Sequence, residues 1–249
     1  MNKEAKITIY TQVYNTKKYL NKCFDSVVDQ TYPIHQYIIV DNGCTDGCGE
    51  IIKEYAQKYD FIDVVKYIEN KKGFWYDAIT EKATGDFLTF LDSDDWWEDG
   101  KLVKQLELIE QERVVLCSTG RALVNPDGSP MGKVIPVAEK ITYRELLKHN
   151  CINCSSVLLL REVALEFPME HEDSHEDYIT WLKILKKYGR ACAVNEPLLK
   201  YRLSVTGKSG SKWKSARMTF KVYRYMGFGW LKSMVCFCSY AVHGVWKYR

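Results

Sequence analysis

The chain has 249 residues, 46% of them hydrophobic and 27% charged. This is an ordinary globular composition, long enough for one substantial core or two small ones, and it excludes a fibrous or disordered chain. The net charge of +3 conceals an asymmetry: residues 197–249 hold eleven Lys/Arg and no Asp/Glu, whereas residues 1–196 hold 24 Lys/Arg against 32 Asp/Glu. A basic tail of that kind meets a polyanion, whether nucleic acid, anionic lipid or a phosphorylated ligand.

The charged start, Met1-Asn2-Lys3-Glu4-Ala5-Lys6, runs straight into a strand over residues 7–10. No signal peptide precedes the nine cysteines, so a reducing, cytoplasmic setting with free thiols is expected. Cys151 and Cys154 form a C-x-x-C without a second pair at zinc-ribbon spacing, and Cys44 and Cys48 are a looser pair. All are read as packing or loop residues. A helix is predicted over residues 17–30, with Leu20, Cys23, Phe24, Val27 and Val28 on one face and Tyr32-Pro33 as its stop. A second strand, residues 37–40, ends in Asp41-Asn42-Gly43. A helix over 47–59, a strand over 64–67 and a helix over 75–83 follow. The apolar run 87–91, set between Gly85 and charge, reads as a buried strand. This alternation predicts a mainly parallel sheet covered on both faces, with ligands at the carboxyl ends of its strands, where Asp41 and Asp92 fall.

The second half has a helix over 101–112 and short apolar runs at 114–117 and 122–124 that flank turns. Asn125-Pro126-Asp127-Gly128 is a turn signal, and residues 155–160 read as another buried strand. A helix starts near Asp177, buries Tyr178, Trp181, Leu182 and Leu185, and stops at Gly189. No linker is visible before residue 205. From Lys212 the tail looks helical, with Trp213, Arg217, Phe220 and Arg224 at helical spacing. Residues 233–246 carry no charge at neutral pH but are shorter than the roughly 20 residues a membrane span needs. They form either a core-packed helix or one lying in a membrane interface.

Asp92-Ser93-Asp94-Asp95 follows the buried run directly. In extended backbone Asp92 and Asp94 face the same way, and two hard oxygen donors on one face suit Mg²⁺ or Mn²⁺ shared with a diphosphate. The same residues also read as an acidic loop that caps the helix at residue 101. The surrounding blocks decide between these readings. Val13-Tyr14-Asn15, Tyr19-Leu20, Ser26-Val27 and Gln30-Thr31-Tyr32, followed by residues 38–47, resemble the opening of inverting family-2 glycosyltransferases of the GT-A fold. Ala83-Thr84-Gly85-Asp86 with Phe90-Leu91-Asp92-Ser93-Asp94-Asp95 resembles that family's next block. Glu176-Asp177-Tyr178 with Trp181-Leu182 resembles the third, and Lys200-Tyr201-Arg202 with the serines after it a weaker fourth. The resemblance runs in order over residues 7–205.

It implies an α/β GT-A catalytic domain over residues 1–205, with a nucleotide-binding half (1–112), an acceptor half (113–205) and a basic, aromatic helical extension (206–249). It also implies metal-dependent, inverting transfer of a sugar from a nucleoside-diphosphate donor, with UDP the first choice, to a hydroxyl acceptor in cell-surface polysaccharide or glycolipid synthesis. Asp94 is the direct ligand of Mn²⁺ or Mg²⁺. Asp92 reaches the ribose, or the metal through water, and Asp95 supports or replaces them. Gln12, Tyr14, Asp41, Asn42, Glu176 and Arg202 meet substrate. Asn42 can accept the uracil N3–H and donate to a uracil carbonyl; the family more often has Asp here, so an acceptor is kept and a charge removed. Asp177 is the base that takes the acceptor's proton, with Glu176 the runner-up. Ser174-His175-Glu176-Asp177 also reads as a capping box, with Asp177 favoured by the helix dipole.

One block departs from the pattern. Where the family has Ala-Arg-Asn, this chain has Trp75-Tyr76-Asp77, so the arginine that meets the diphosphate in relatives is absent. Lys71, Lys72 or Arg202 would have to replace it, and Trp75 and Tyr76 either stack on the base or sugar or pack in the core. The implied partners are the nucleotide sugar, a saccharide or lipid-linked saccharide, and an anionic membrane surface met by residues 207–249, peripherally at the inner face, and no nucleic acid. A nucleotidyltransferase shares the strand-end carboxylates but needs a Gly-rich phosphate loop, which Gln12-Val13-Tyr14-Asn15 is not. A non-catalytic nucleotide- or membrane-binding module is the remaining alternative.

Overall fold

The computed structural model describes residues 4–68, 75–203 and 212–248, and one sheet runs through its α/β body. Strands β1 (Ile7–Val13), β2 (Gln36–Asn42), β3 (Ile62–Tyr67) and β4 (Phe87–Phe90) alternate with helices α1 (Lys17–Val28), α2 (Cys48–Lys58) and α3 (Trp75–Lys82). The four strands are parallel in the order β3-β2-β1-β4. Their side chains alternate between two cores. Ile7, Ile9, Val13, Tyr37 and Ile39 pack against Leu20, Phe24 and Val27 of α1 and Ile52 of α2. Tyr10, Ile38, Val40, Leu88 and Phe90 pack with Ile79 of α3 on the other side. Burial on both faces explains why these strands read as near-continuous apolar runs.

The chain continues as β5 (Trp96–Trp97), α4 (Lys101–Glu112), β6 (Leu116–Val124), β7 (Pro130–Ile135), β8 (Lys140–Thr142), α5 (Tyr143–Lys148), β9 (Leu158–Leu160), α6 (Arg161–Glu166), α7 (Glu176–Tyr188) and β10 (Arg190–Arg202). β9 lies antiparallel between β4 and β6. β10 runs parallel to β6 and carries β5 and β8 antiparallel. Parallel pairing therefore governs the first four strands, and the sheet is mixed beyond them.

Two local expectations are corrected. Residues 114–117 and 122–124 are not two separate runs; most of them belong to one strand, β6, whose end at Val124 leads into the 125–128 turn. Gly120 sits mid-strand because a Cβ there would come within 2.9 Å of the Glu196 carbonyl oxygen, a close approach that glycine permits. The predicted strand 155–160 is shorter, because Cys154–Ser156 form a 3₁₀ turn. There the Ser156 hydroxyl donates to the Asn153 carbonyl at 2.6 Å, a local bond that competes with strand pairing.

The basic tail forms an antiparallel hairpin of α8 (Lys212–Tyr225) and α9 (Trp230–Tyr248), turned at Gly227 (φ +80°). Met218, Val222 and Tyr223 are buried, and the Tyr223 hydroxyl donates to the Leu147 carbonyl at 3.0 Å. Asp173 pairs with Lys221 and accepts from the Tyr225 hydroxyl. Cys236, Phe237 and Tyr240 pack α9 against the core. Among the described residues, no helix is long and apolar enough to cross a membrane.

Candidate active site

The loop after β4 is built by backbone bonds. Leu91 N–H donates to the Tyr10 carbonyl at 2.9 Å, extending β4 along β1, and Asp95 N–H closes a turn onto the Asp92 carbonyl at 3.0 Å. β5 then pairs with β10 and holds the far side. Ser155 braces the turn: its Oγ accepts from Asp92 N–H at 3.1 Å, and its carbonyl accepts from Trp97 Nε1 at 2.7 Å. Within the turn the side chains alternate. Ser93 and Asp95 point inward, at 7% and 1% exposure, while Asp92 and Asp94 line a cavity of about 690 Å³.

That cavity lies in the size range of small-ligand sites. Its floor is Asp92 and Asp94 with Gln12 from the end of β1, and Glu176 and Asp177 of α7 line the same space. Four carboxylates thus share one cavity. Enclosure by protein pushes the Asp92 carboxyl up to about 7, reinforced by the negative charges of Asp94, Asp177 and Glu176 and opposed by its hydrogen bond with Ser155. Asp94 is raised by loss of water, against which the nearby Arg202 charge pulls it down. Asp92 is nevertheless open to cleft solvent, so a cation can reach it. Crowded oxygen donors that resist losing their protons, accessible from a cavity, suit a hard divalent cation.

Asp95 has a different place. It is buried, its Oδ1 accepts from Arg202 N–H at 2.8 Å, its Oδ2 has no hydrogen-bond partner among the described residues, and it does not line the cavity. Burial, with Asp92 and Asp94 next to it, raises its carboxyl well above the ordinary range. Arg202 lines the cavity, but its guanidinium already binds backbone: Nε donates to the Asp94 carbonyl at 2.8 Å and NH1 to that of Pro126 at 2.9 Å. The group stacks over the Tyr19 and Trp96 rings at 4.1 and 5.2 Å. It clamps the acidic turn to the 125–129 turn.

Asp41 and Asn42 end β2 as expected, but both are buried, at 3% and 2% exposure, and neither lines the cavity. Asp41 Oδ1 accepts from Cys44 N–H at 3.0 Å and so fixes the turn through Gly43 (φ +77°). Tyr14 is 45% exposed and lies outside the cavity lining. Tyr76 packs in the core with its hydroxyl on the Ala164 carbonyl, which settles it as a packing residue; Lys71 and Lys72 lie outside the described residues. Cys44, Asp46 and Cys48 bring ligand atoms within 4.8 Å of one another. Asp46, however, is used as a cap for Lys17 N–H at 2.9 Å and Cys48 N–H at 3.1 Å, and burial raises both thiols.

Asp177 is the second residue of α7, so its carboxylate sits in the positive field of a helix start. The capping-box reading is corrected. His175, not Ser174, is the N-cap and makes no side-chain cap bond; Ser174 lies one residue before it, and its hydroxyl donates to the His171 carbonyl at 2.8 Å. Sequence reasoning missed Arg121, Tyr201, His175, Ser215 and Tyr240, all of which line the cavity. Arg121 projects from the middle of β6, is 8% exposed, and its guanidinium lies 5.6 Å from the Tyr201 ring. A charged residue set directly before the apolar run 122–124 was the signal that could have found it.

The family model for glycosyl transferase family 2 matches residues 8–167. The chain is 36% identical over 244 residues to the putative teichuronic acid biosynthesis glycosyltransferase TuaG of Bacillus subtilis (strain 168), covering 97% of this chain and 96% of the relative. It is 30% identical over 220 residues to the Escherichia coli UDP-Glc:alpha-D-GlcNAc-diphosphoundecaprenol beta-1,3-glucosyltransferase WfgD, covering 87% and 84%. In three dimensions it resembles S. aureus TarS solved with UDP-GlcNAc, with a TM-score of 0.72 at 17% identity over 93% of this chain and 70% of that one. The fold is GT-A, a central sheet flanked by helices with a helical C-terminal region. With the family match across more than half of the chain and relatives aligned over most of its length, the protein belongs to glycosyl transferase family 2 and is a glycosyltransferase.

Proposed function

We propose that the protein transfers a sugar from a UDP-linked donor to a hydroxyl of a lipid-linked saccharide, with inversion and with divalent-metal dependence. The observation that carries this reading is one cavity with Asp92 and Asp94 on its floor and Glu176 and Asp177 at the start of a helix on its wall. The relative WfgD is named for a UDP-Glc donor and a diphosphoundecaprenol-linked acceptor, and TarS was solved with UDP-GlcNAc. Residues 1–112 form the donor half and 113–205 the acceptor half, with 206–249 as an extension.

Placement supports each role in this reading. Asp177 accepts the proton of the attacking hydroxyl, since it is a carboxylate reachable from the cavity at a helix N-terminus; Glu176 is the alternative base. Asp94 and Asp92 are the residues that would hold Mn²⁺ or Mg²⁺, which when bound neutralises charge on the departing diphosphate. Asp95 positions them by fixing Arg202. Arg121, the cation that replaces the family's missing arginine in this reading, meets the diphosphate or the acceptor's phosphate. Arg202 adds positive potential at the turn. Gln12, Asp41 and Asn42 lie at the ends of β1 and β2, on the side where the uridine would sit, with Tyr14 at its rim. An α-linked donor then yields a β-linked product. A lipid-linked acceptor places the enzyme peripherally at the cytoplasmic face of a membrane.

A panel of UDP-Glc, UDP-Gal, UDP-GlcNAc and GDP-Man, screened by thermal shift with and without Mn²⁺, tests the donor. At least one uridine donor should stabilise the protein, and more so with the metal. Stabilisation by GDP-Man alone, or no effect of Mn²⁺ with any donor, would overturn the reading.

A further inference from the structure

The two sides of α9 are both apolar. Cys236, Phe237 and Tyr240 face the core, and Ser233 on the same side is fully buried. On the opposite side Leu231, Val235, Cys238 and Val242 follow one another at intervals of four, three and four residues. At about 100° per residue they fall within an arc of about 60°. This stripe faces solvent: Leu231 is 74% exposed, Val235 64% and Val242 58%, and Trp230 at the helix start is 65% exposed. The outer face of a surface helix is ordinarily polar, so an apolar stripe here marks an interaction surface.

The charge around the stripe identifies what it meets. No Asp or Glu follows Glu196. On α8, Trp213 is 89% exposed, and Lys214, Arg217 and Arg224 are exposed with it. On α9, Lys232 is exposed at the edge of the stripe. Exposed cations beside exposed Trp and aliphatic side chains match an anionic bilayer surface, with headgroups for the Lys/Arg and acyl chains for the stripe. A second copy of this chain would instead bring two basic hairpins together.

We propose that the α8–α9 hairpin is a docking surface for anionic lipid, with α9 lying in the plane of the interface on its Leu231–Val242 stripe. The same hairpin walls the active site: Ser215 of α8 and Tyr240 of α9 line the cavity, and the Ser215 carbonyl lies 3.4 Å from His175 Nε2 at the N-cap of α7. Docking therefore sets the cleft beside the headgroup layer, where the saccharide of a lipid-linked acceptor is displayed. That consequence rests on the acceptor reading above; the docking itself does not.

The test uses the full chain without acceptor or donor, in co-sedimentation with vesicles of phosphatidylcholine alone or with about one third phosphatidylglycerol. The parent should bind the anionic vesicles, bind neutral ones at least tenfold more weakly, and lose binding at high salt. Leu231→Asp with Val235→Asp should cut anionic binding at least tenfold. Lys214→Glu with Arg217→Glu should do the same, and both pairs should keep the parent's thermal stabilisation by UDP with Mn²⁺. If the aspartates impair folding, Val235→Gln with Val242→Gln replaces them. Failure of the parent to bind anionic vesicles, equal binding to neutral ones, or unchanged binding by the folded variants would overturn the proposal. So would a parent dimer that the stripe variants dissolve. A donor or acceptor failure would appear in the nucleotide and transfer assays and leave vesicle binding untouched.

Discussion

Removing one carboxylate from the crowded cavity should stabilise the metal-free protein. Asp92 is pushed up to about 7, first by enclosure and then by Asp94, Asp177 and Glu176. A fully enclosed carboxyl raised that far would contribute about 4 kcal/mol, but Asp92 is open to cleft water, and screening reduces this to about 1–2 kcal/mol. Because the native carboxyl binds its proton more tightly than the unfolded one, its contribution is fully present below about pH 4. It is lost as pH rises through about 7. Asp92→Asn removes the titrating charge. In EDTA at pH 8 the variant should melt about 3–6 °C above the parent, and its stability should vary less between pH 5 and 8, with a residual slope from Asp94. Adding Mn²⁺ should raise the parent's melting temperature more than the variant's. Thermal unfolding at several pH values, with EDTA and with Mn²⁺, measures all of this. A variant less stable than the parent at pH 8 in EDTA, or a parent whose metal-free stability is flat between pH 5 and 8, would refute the reasoning.

Other outcomes follow from neighbouring residues. Asp94→Ala should weaken Mn²⁺ binding at least tenfold while the protein still folds; Asp95→Asn, which keeps an acceptor for Arg202 N–H, should weaken it far less, and isothermal titration separates the two. Arg202→Lys should cost about 2–3 kcal/mol by denaturant unfolding, because a lysine cannot replace a guanidinium that binds several carbonyls and stacks on two rings. Arg121→Ala should lower kcat/KM about 10–100-fold with little loss of stability, as expected for losing a charged hydrogen bond to a phosphate; unchanged transfer kinetics would remove it from the site.

Much of the fold was legible because its signals are local. Apolar runs bounded by Gly and charge placed β1, β2 and β4 to within a few residues, and the α4 boundaries at Lys101 and Glu112 agree with the predicted helix. The parallel half followed from alternation alone. The mixed half did not, because β9 is three residues long and its antiparallel insertion between β4 and β6 depends on tertiary packing that no local pattern encodes. Within the site, the acidic turn and Asp177 stand out as carboxylates at element ends. Arg121 was harder to find because it sits mid-strand rather than at an element end, after Ser118-Thr119-Gly120, which broke β6 into two apparent runs. Asp95 and Arg202 looked like ligands in sequence, but a buried acceptor and a multidentate backbone clamp differ from ligands only in where they point. The capping box failed because the helix starts one residue later, with His175 rather than Ser174 at its N-cap.

Asp177→Asn, assayed for sugar transfer from the uridine donor to a lipid-linked acceptor and, on the same preparation, for UDP binding with Mn²⁺, tests whether Asp177 is the base. Transfer should fall at least a thousandfold, as for loss of a base that takes the acceptor's proton, with UDP and Mn²⁺ affinity within about threefold of the parent. Transfer retained at near-parent rates would contradict that role.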